Sequence, residues 1–280
     1  MLLISPFDLL KLDSFSAILV DRRARNVQEA AGQASLLIKT TWTMLAPLSG
    51  DLIQAALLSP LEALPEFKLP RRIETSAGAY TRLLDRFYVP EDAGPDVTSA
   101  LFDAIAAHYD ELTDCGTNLT VCRRLLMEVS GRSQSSLRVL DFGCGTGVAV
   151  LATSTPDLQH LQLVGTDASP SMLELAKRRG EETLHFQAWQ DTPANSFDGA
   201  IAAFVLHYGV PEVHLALIAS QLREGAIFAA NLFKGTSAQM DRIVWACSQN
   251  GLKLRSVELL DPTAGENLLL TFEKTSGAGQ

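Results

Sequence analysis

From about residue 138 onward, the pattern of apolar and polar residues predicts strands that alternate with helices. Short apolar runs have the length and the β-branched content of buried parallel strands. The stretches between them carry apolar residues at spacings of three and four, as amphipathic helices do. Alternation of this kind implies a mainly parallel sheet with right-handed crossovers. The predicted strands end at Asp141 and span 161–166, 183–188, the first part of 197–208, 226–232, 252–260 and 267–272.

The first 95 residues follow a different pattern, which predicts mostly helices. Apolar residues at helical spacing cover 26–47, 51–58 and 76–88. A proline- and glycine-containing loop at 90–95 then provides the best domain boundary. We therefore expect a helical cap or dimerisation region at 1–95, a main domain at 96–275 and a disordered tail at 276–280. The sequence favours neither a lid over the site nor a packing arm that forms a homodimer.

Charge, hydropathy and cysteine content indicate which binding partners and which cell compartment to expect. The chain of 280 residues has 32 acidic and 23 basic side chains and a net charge of −9, whereas a nucleic-acid binder normally presents a basic face. No apolar run approaches the roughly 18 residues of a membrane span, and the apolar start lacks the basic segment of a signal peptide. The four cysteines show no C-x-x-C pairing, so we expect no metal site, reduced thiols and a cytoplasmic location.

A glycine-rich turn follows the strand that ends at Asp141. The stretch 138–147 reads Arg-Val-Leu-Asp-Phe-Gly-Cys-Gly-Thr-Gly, and its glycines allow positive φ and a close approach of ligand to backbone. The spacing departs from the dinucleotide fingerprint G-x-G-x-x-G because position 148 is Val, and no lysine is present for a P-loop. Cys144 lies inside the turn, where a small side chain packs well. The turn therefore predicts a cofactor held against backbone N–H groups and a helix N-terminus.

At this turn the sequence resembles the class I S-adenosylmethionine-dependent methyltransferases, whose first motif is a hydrophobic pair followed by D-x-G-C-G-T-G. Residues 139–147 match that motif without a break. The resemblance covers 96–273 and implies an α/β, Rossmann-like sheet of seven mainly parallel strands with an antiparallel last strand. It also implies S-adenosylmethionine as cofactor and S-adenosylhomocysteine as product. The helix around 101–114 is similar to that of the ubiquinone/menaquinone-type small-molecule methyltransferases, in which the residue matching Tyr109 closes over the cofactor.

Other cofactor contacts follow from the next strands. Asp167 stands at the tip of the second strand, where a carboxylate accepts hydrogen bonds from both ribose hydroxyls. The family pattern ends the third strand with an aspartate that contacts adenine, but Ala188 and Trp189 stand there, so Trp189 is a candidate stacking surface. The cofactor-binding residues predicted from the motifs are Tyr109, Asp141, Gly143, Cys144, Gly145, Asp167, Ala168, Met172, Ala188, Trp189 and Phe204.

Two residues after the fourth strand are the candidate catalytic groups. His207 and Tyr208 follow a strand whose carboxyl end lies at the ligand-binding edge of such a sheet. A histidine side chain with the ordinary pKa of about 6.5 suits proton removal near neutral pH. His207 is the first choice as base and Tyr208 or His108 are alternatives, while a role for His207 as a wall of the pocket stays open.

The function expected from these features is methyl transfer to a small-molecule acceptor at N, O or C. Two alternatives remain. The acceptor is a protein or peptide recognised by residues 1–95, or the fold binds the cofactor without transferring a methyl group. The departure at Ala188 and Trp189 keeps the last alternative open.

Overall fold

The computed structural model describes residues 15–37, 41–49, 52–58, 70–76, 78–84, 87–92, 95–131, 135–260 and 267–276. The chain divides into two compact units, Met1–Thr113 and Asp114–Gln280. Within the described residues, no helix is both long enough and apolar enough to cross a membrane.

The first unit contains a six-stranded sheet and two longer helices. In the sheet the strand order is β2-β3-β1-β6-β5-β4. The two central strands β1 and β6 are parallel, and the other neighbours are antiparallel. The elements, in chain order, are β1 (Phe15–Asp21), α1 (Ala24–Leu37), β2 (Thr41–Ser49), β3 (Leu52–Leu58), β4 (Arg72–Thr75), β5 (Gly78–Leu83), β6 (Phe87–Pro90), α2 (Pro95–Ile105), a 3-10 turn (Ala106–His108) and α3 (Tyr109–Leu112).

Strand β1 is buried on both faces, which explains its continuous apolar run. Ala17 and Leu19 belong to a cluster with the apolar side of α1. Ile18 and Val20 alternate with them and belong to a second cluster, which includes Leu101 of α2. The sheet therefore carries one helix on each face.

The expectation of a mostly helical block at 1–95 is wrong. The helix predicted at 26–47 ends at Leu37, and 41–49 forms a strand instead. The helix predicted at 51–58 is strand β3, and the one predicted at 76–88 is the pair β5 and β6. Over runs of fewer than ten residues, apolar spacings of three and four also fit a strand, and pairing with neighbouring strands decides between the two.

The boundary also differs from the expected one after residue 95. The second unit begins at Asp114 because α2 packs its apolar residues, Val97, Leu101 and Ile105, into the core of the first unit. Of the tail expected to be disordered, residues 277–280 lie outside the described residues.

The second unit contains the predicted seven-stranded sheet, in the order β12-β13-β11-β10-β7-β8-β9. Its neighbours are parallel except at β13, which is antiparallel to both β11 and β12. The predicted fold of this part is confirmed. The elements are α4 (Cys115–Ser130), β7 (Leu137–Phe142), α5 (Val148–Thr153), β8 (Leu161–Asp167), α6 (Pro170–Arg178), β9 (Glu182–His185), α7 (Phe186–Gln190), β10 (Phe197–Ala202), a 3-10 turn (Leu206–Tyr208), α8 (Glu212–Gln221), β11 (Leu222–Phe233), α9 (Ser237–Gln249), β12 (Leu252–Leu259) and β13 (Asn267–Lys274).

Helices cover both faces of this sheet. Leu140 of β7 joins a cluster with α8 and α9, whereas Val139 joins a cluster with α4 and α5. Because the core occupies the two faces, the carboxyl ends of the parallel strands β7, β8 and β10 are left at one edge, where ligands bind in open α/β sheets.

Candidate cofactor site

The glycine turn connects β7 to α5 through three residues with left-handed backbone. Gly143, Gly145 and Gly147 have φ values of +72°, +54° and +79°. A Cβ on Gly143 would lie 2.4 Å from Cγ2 of Val205, and one on Gly147 would lie 2.7 Å from the Cα of Ala176. Both positions thus require glycine for two reasons, because the backbone is left-handed and because a Cβ would overlap a neighbouring atom. The turn lies close to α6 on one side and to the segment after β10 on the other.

Backbone hydrogen bonds fix this turn, called the glycine loop below, against the end of β8. The N–H groups of Gly143 and Cys144 both donate to the carbonyl of Thr166, at 2.8 and 3.1 Å. Strands β7 and β8 pair in register, with Phe142 opposite Thr166. The loop therefore starts directly beside the tip of the second strand.

Asp167 occupies that tip, as the sequence spacing predicts. Its Oδ2 accepts a hydrogen bond from the N–H of Gly145 at 3.0 Å, and its Oδ1 accepts one from the N–H of Ser169 at 2.9 Å. The side chain is half-buried. The carboxylate is thus held rigidly between the glycine loop and the start of α6, with part of its surface open.

The residues that follow Asp167 differ in burial. Ala168 is exposed, and the buried Ser169 caps α6 by accepting a hydrogen bond from the N–H of Met172 at 3.2 Å. Met172 itself is buried. Cys144 is also buried, and burial raises the pKa of its thiol well above the usual value. The Cys144 side chain therefore packs beneath the loop as a neutral thiol.

Asp141 is a buried carboxyl group at the end of β7, and sequence reasoning missed its partner. Glu181, just before β9, is also buried, and its carboxyl group lies against Gly165, which pairs with Asp141 across β7 and β8. Burial, followed by the charge of Asp141, raises the pKa of Glu181 to about 10. Burial and the charge of Asp167 also raise the pKa of Asp141. Nothing in the sequence marks Glu181, because the pair Glu181-Glu182 is typical of an exposed helix end.

The adenine end of the predicted site differs from the expectation. The third strand ends at His185, and 186–190 form the short helix α7 instead of the predicted continuation of the strand. Trp189 is completely buried, with ring centroids 5.0 Å from Phe142 and 5.2 Å from Phe186. Its ring is part of the core rather than an open stacking surface, because the turn of α7 directs it inward. Ala188 is exposed.

The segment after β10 carries several aromatic residues at the same edge of the sheet. Phe204 has a left-handed backbone, with φ of +56°, and its N–H donates to Oδ1 of Asn231 at 2.6 Å. Its ring lies edge-on to Phe233 at 5.7 Å. Asn231 is fully buried and in turn donates to Oδ1 of Asn267 at 2.8 Å. Sequence reasoning did not find this asparagine pair.

His207 and Tyr208 lie in the same segment, within a few residues of Val205, which touches the glycine loop. Their ring centroids are 3.9 Å apart, and the His207 ring lies edge-on to Phe233 at 5.9 Å. Gln239 of α9 donates to the carbonyl of His207 at 3.4 Å. Both side chains are half-buried, so part of each is open to solvent.

Tyr109 and His108 belong to the first unit. Tyr109 begins α3, and its ring lies edge-on to Phe102 at 5.9 Å. Nδ1 of His108 lies 3.2 Å from the carboxylate of Glu111. The role of Tyr109 at the cofactor stays a prediction. Across the described parts of the chain, no group of three His, Cys, Asp or Glu side chains is arranged to hold a metal ion.

The second unit fits S-adenosylmethionine on its own geometry. The loop has no side chain at Gly143, Gly145 and Gly147, so a ligand can approach its backbone closely. Asp167 presents a fixed carboxylate beside that loop, which suits the two hydroxyls of a ribose.

Comparisons with known proteins agree. Residues 139–225 match the methyltransferase domain family. The chain is 29% identical over 170 residues to the ribosomal protein L11 methyltransferase of Ectopseudomonas mendocina (strain ymp), a match that covers 58% of this chain and 53% of that protein. The chain thus spans about half the length of this curated relative.

Solved structures show the same fold. One is 1,6-didemethyltoxoflavin-N1-methyltransferase of Burkholderia thailandensis with bound 1,6-didemethyltoxoflavin and S-adenosylhomocysteine, at a TM-score of 0.52 and 20% identity over 76% of this chain and 100% of that chain. Another comes from a Haloferax volcanii complex that contains the Trm112 methyltransferase activator, at a TM-score of 0.51 and 17% identity over 62% of this chain and 98% of that chain.

Residues 139–225 thus match a methyltransferase domain in sequence, and the sheet of residues 114–280 has the fold of the class I methyltransferases. The cofactor of this class is S-adenosylmethionine, as the motifs predict.

Proposed function

We propose that this protein transfers a methyl group from S-adenosylmethionine to a small-molecule acceptor at N, O or C. The observation that carries the proposal is the fixed Asp167 carboxylate, bonded at 3.0 Å to the N–H of Gly145 in a loop that only glycine can form. The half-buried aromatic segment with Phe204, His207 and Tyr208 supports an apolar acceptor pocket at the same sheet edge. We include in this proposal the resemblance of the chain to the ubiquinone/menaquinone-type small-molecule methyltransferases.

Each part of the site has a defined task in this reaction. Asp167 would bind the ribose, and the glycine loop would hold the remainder of the cofactor against its backbone. When bound, the cofactor supplies a methyl group that is already activated on a positively charged sulfur. The protein then mainly orients the acceptor and excludes water. A ring nitrogen of His207, or alternatively the ionised hydroxyl of Tyr208, would take the proton that the acceptor loses, and the methyl donor would leave as S-adenosylhomocysteine.

Labelled cofactor tests the activity directly. The purified protein is incubated with methyl-labelled S-adenosylmethionine and a metabolite extract from which macromolecules have been filtered out. Label in a small acceptor supports the proposal. Cofactor binding measured by calorimetry without any label transfer favours instead a fold that binds the cofactor without methylating.

A protein acceptor is the second candidate, because the curated relative is by its name a ribosomal protein methyltransferase. Incubation with the unfiltered extract separates the two candidates. Label that stays above a size-exclusion membrane, and disappears after protease treatment, indicates a protein acceptor.

The first unit completes the proposal. We infer that it selects the acceptor or forms a homodimer, with Tyr109 closing over the cofactor. We also infer a cytoplasmic location, since all four cysteines are free thiols and three of them are buried. Light scattering of the full chain tests the dimer. Calorimetric titration of wild type and Tyr109→Phe with the cofactor tests the proposed role of Tyr109.

A further inference from the structure

Glu181 is a strongly buried carboxyl group beside the glycine loop, and the proposed reaction does not use it. Only 4% of the side chain is exposed. A Cβ built on Gly165 of β8 would lie 2.8 Å from Cδ and Oε1 of Glu181, and one built on Gly147 would lie 3.1 Å from Oε2. The carboxyl group thus fills the space between the glycine loop and β8, where both facing residues have no side chain.

The carboxyl group of Glu181 is buried without a hydrogen bond from an N–H or O–H group of the described residues. Among the described residues, no N–H or O–H donates to either oxygen of Glu181 or to Oδ2 of Asp141. The two carboxyl groups are neighbours, because Asp141 lies opposite Gly165 in the sheet and the carboxyl group of Glu181 lies against Gly165. Two carboxylates cannot bond to each other unless one of them carries a proton, because an ionised carboxylate only accepts.

The surrounding charges favour that proton. The acidic groups that act on Glu181 are Asp141 from β7 and Asp167 from β8, and the thiols of Cys144 and Cys122 are also close enough to feel its charge. Arg179, two residues earlier, bonds to Thr146 at 2.9 Å. Two like charges buried side by side are far more costly than one shared proton.

We propose that Glu181 is a positioning residue of the cofactor site, which holds a proton, donates it in a hydrogen bond to Asp141 and thereby keeps the glycine loop seated on β8. This inference rests on the proposed function for its cofactor part. The carboxyl group of Glu181 lies against Gly147 of the loop and Gly165 of β8, so in this proposal it acts on the cofactor through Asp141 and the loop.

Three variants of the full chain separate the proton from the space that the side chain fills. Glu181→Gln keeps both the shape and a hydrogen-bond donor, and Glu181→Leu keeps most of the volume but has no donor. Glu182→Gln is the matched control, since its carboxylate is exposed and pairs with Arg138 at 2.7 Å. We expect the dissociation constants of S-adenosylmethionine and S-adenosylhomocysteine to stay within about threefold of wild type for Glu181→Gln and the control, and to rise at least about tenfold for Glu181→Leu.

The proton itself is read by infrared spectroscopy and by unfolding. The wild type minus Glu181→Gln difference spectrum at pH 7 should contain the carbonyl band of a protonated carboxylic acid, and the wild type minus Glu182→Gln spectrum should not. In the unfolded chain Glu181 loses its proton near pH 4.3, whereas burial raises its pKa in the folded protein to about 10. Unfolding therefore releases a proton between about pH 6 and 8, and the unfolding equilibrium constant of wild type should rise about tenfold per pH unit relative to Glu181→Gln.

Each measurement tests one part of the proposal for Glu181. Equal cofactor affinity of Glu181→Leu and Glu181→Gln would overturn the role of the proton in positioning. Absence of the protonated band, or parallel pH profiles of wild type and Glu181→Gln, would overturn the proton itself, even if Glu181→Leu does not fold. A wild-type protein that binds neither cofactor form would refute the proposed function, while the infrared and unfolding measurements would still determine whether Glu181 is protonated.

Discussion

The carboxylate of Asp167 accepts a hydrogen bond from the N–H of Gly145 at 3.0 Å, so the tip of β8 is tied to the loop that follows β7. The other oxygen of Asp167 holds the N–H of Ser169 at 2.9 Å. One side chain thus orders two segments of the cofactor site and remains half-open to a ligand.

Replacing Asp167 by alanine should weaken S-adenosylmethionine binding at least about tenfold, because both of these bonds and the proposed ribose contact are lost. Titration calorimetry measures the change. Asp157→Ala is the control, since the side chain of Asp157 is 74% exposed. Equal affinity of Asp167→Ala and wild type would contradict the cofactor assignment.

Alanine at position 147 should destabilise the second unit by about 2–5 kcal/mol. The left-handed backbone costs an alanine about 1–2 kcal/mol, and overpacking against Ala176 costs about 1–3 kcal/mol more. Gly225→Ala is a matched control, because its φ of +76° is close to the +79° of Gly147 but its Cβ would meet no atom within 4 Å. Urea unfolding of both variants measures the difference, and similar losses would show that the loop does not press on α6.

Trp189→Leu should cost about 2–4 kcal/mol of unfolding free energy, because a fully buried ring in contact with three aromatic neighbours is removed. Trp245→Leu should cost less than about 0.5 kcal/mol, since Trp245 is 56% exposed. Cofactor affinity should stay within about threefold for both variants. A stable Trp189→Leu protein with weak cofactor binding would restore the adenine-stacking role for this ring.

Asn231→Ala should cost about 2–4 kcal/mol, because the buried amide bonds both the N–H of Phe204 and the side chain of Asn267. We expect a higher KM for the acceptor as well, since the N–H of Phe204 loses its hydrogen bond to the Asn231 side chain on β11. Gln249→Ala, at an exposed amide, serves as the control. An unchanged KM in a destabilised variant would mean that Phe204 does not line the acceptor pocket.

His207→Phe keeps a ring against Tyr208 and Phe233 but removes the proposed base. We expect kcat to fall about 10²-fold with cofactor affinity within about threefold of wild type, because the proton acceptor is lost while the packing is kept. Tyr208→Phe, which keeps the ring and removes the hydroxyl, tests the alternative base. A change in KM alone for His207→Phe would indicate that the histidine only shapes the pocket wall.

Sequence patterns predict the second unit well because its strands and loop are specified locally. The glycine loop needs glycine at Gly143 and Gly147 for both backbone and space, so the motif follows directly from the geometry. Asp167 follows for the same reason, since parallel neighbours place successive strand tips side by side.

The first unit could not be predicted in this way. Its strands β2 and β3 are defined by antiparallel pairing with each other and of β3 with β1, and no local feature of 41–58 announces these pairings. The same limit applies to Trp189 and Glu181. Trp189 points into the core because of the short helix α7, and Glu181 points inward because Gly165 leaves room for its carboxyl group. Only the folded chain defines these two features.

The bond between Asn231 and Asn267 links the aromatic segment after β10 to β13, the antiparallel strand near the far end of the sheet. We therefore expect that the proposed acceptor pocket can be altered from a strand that no cofactor motif includes. Libraries intended to change which acceptor is accepted should include position 267 together with 204 and 231, and should treat the three as one coupled unit rather than as independent sites.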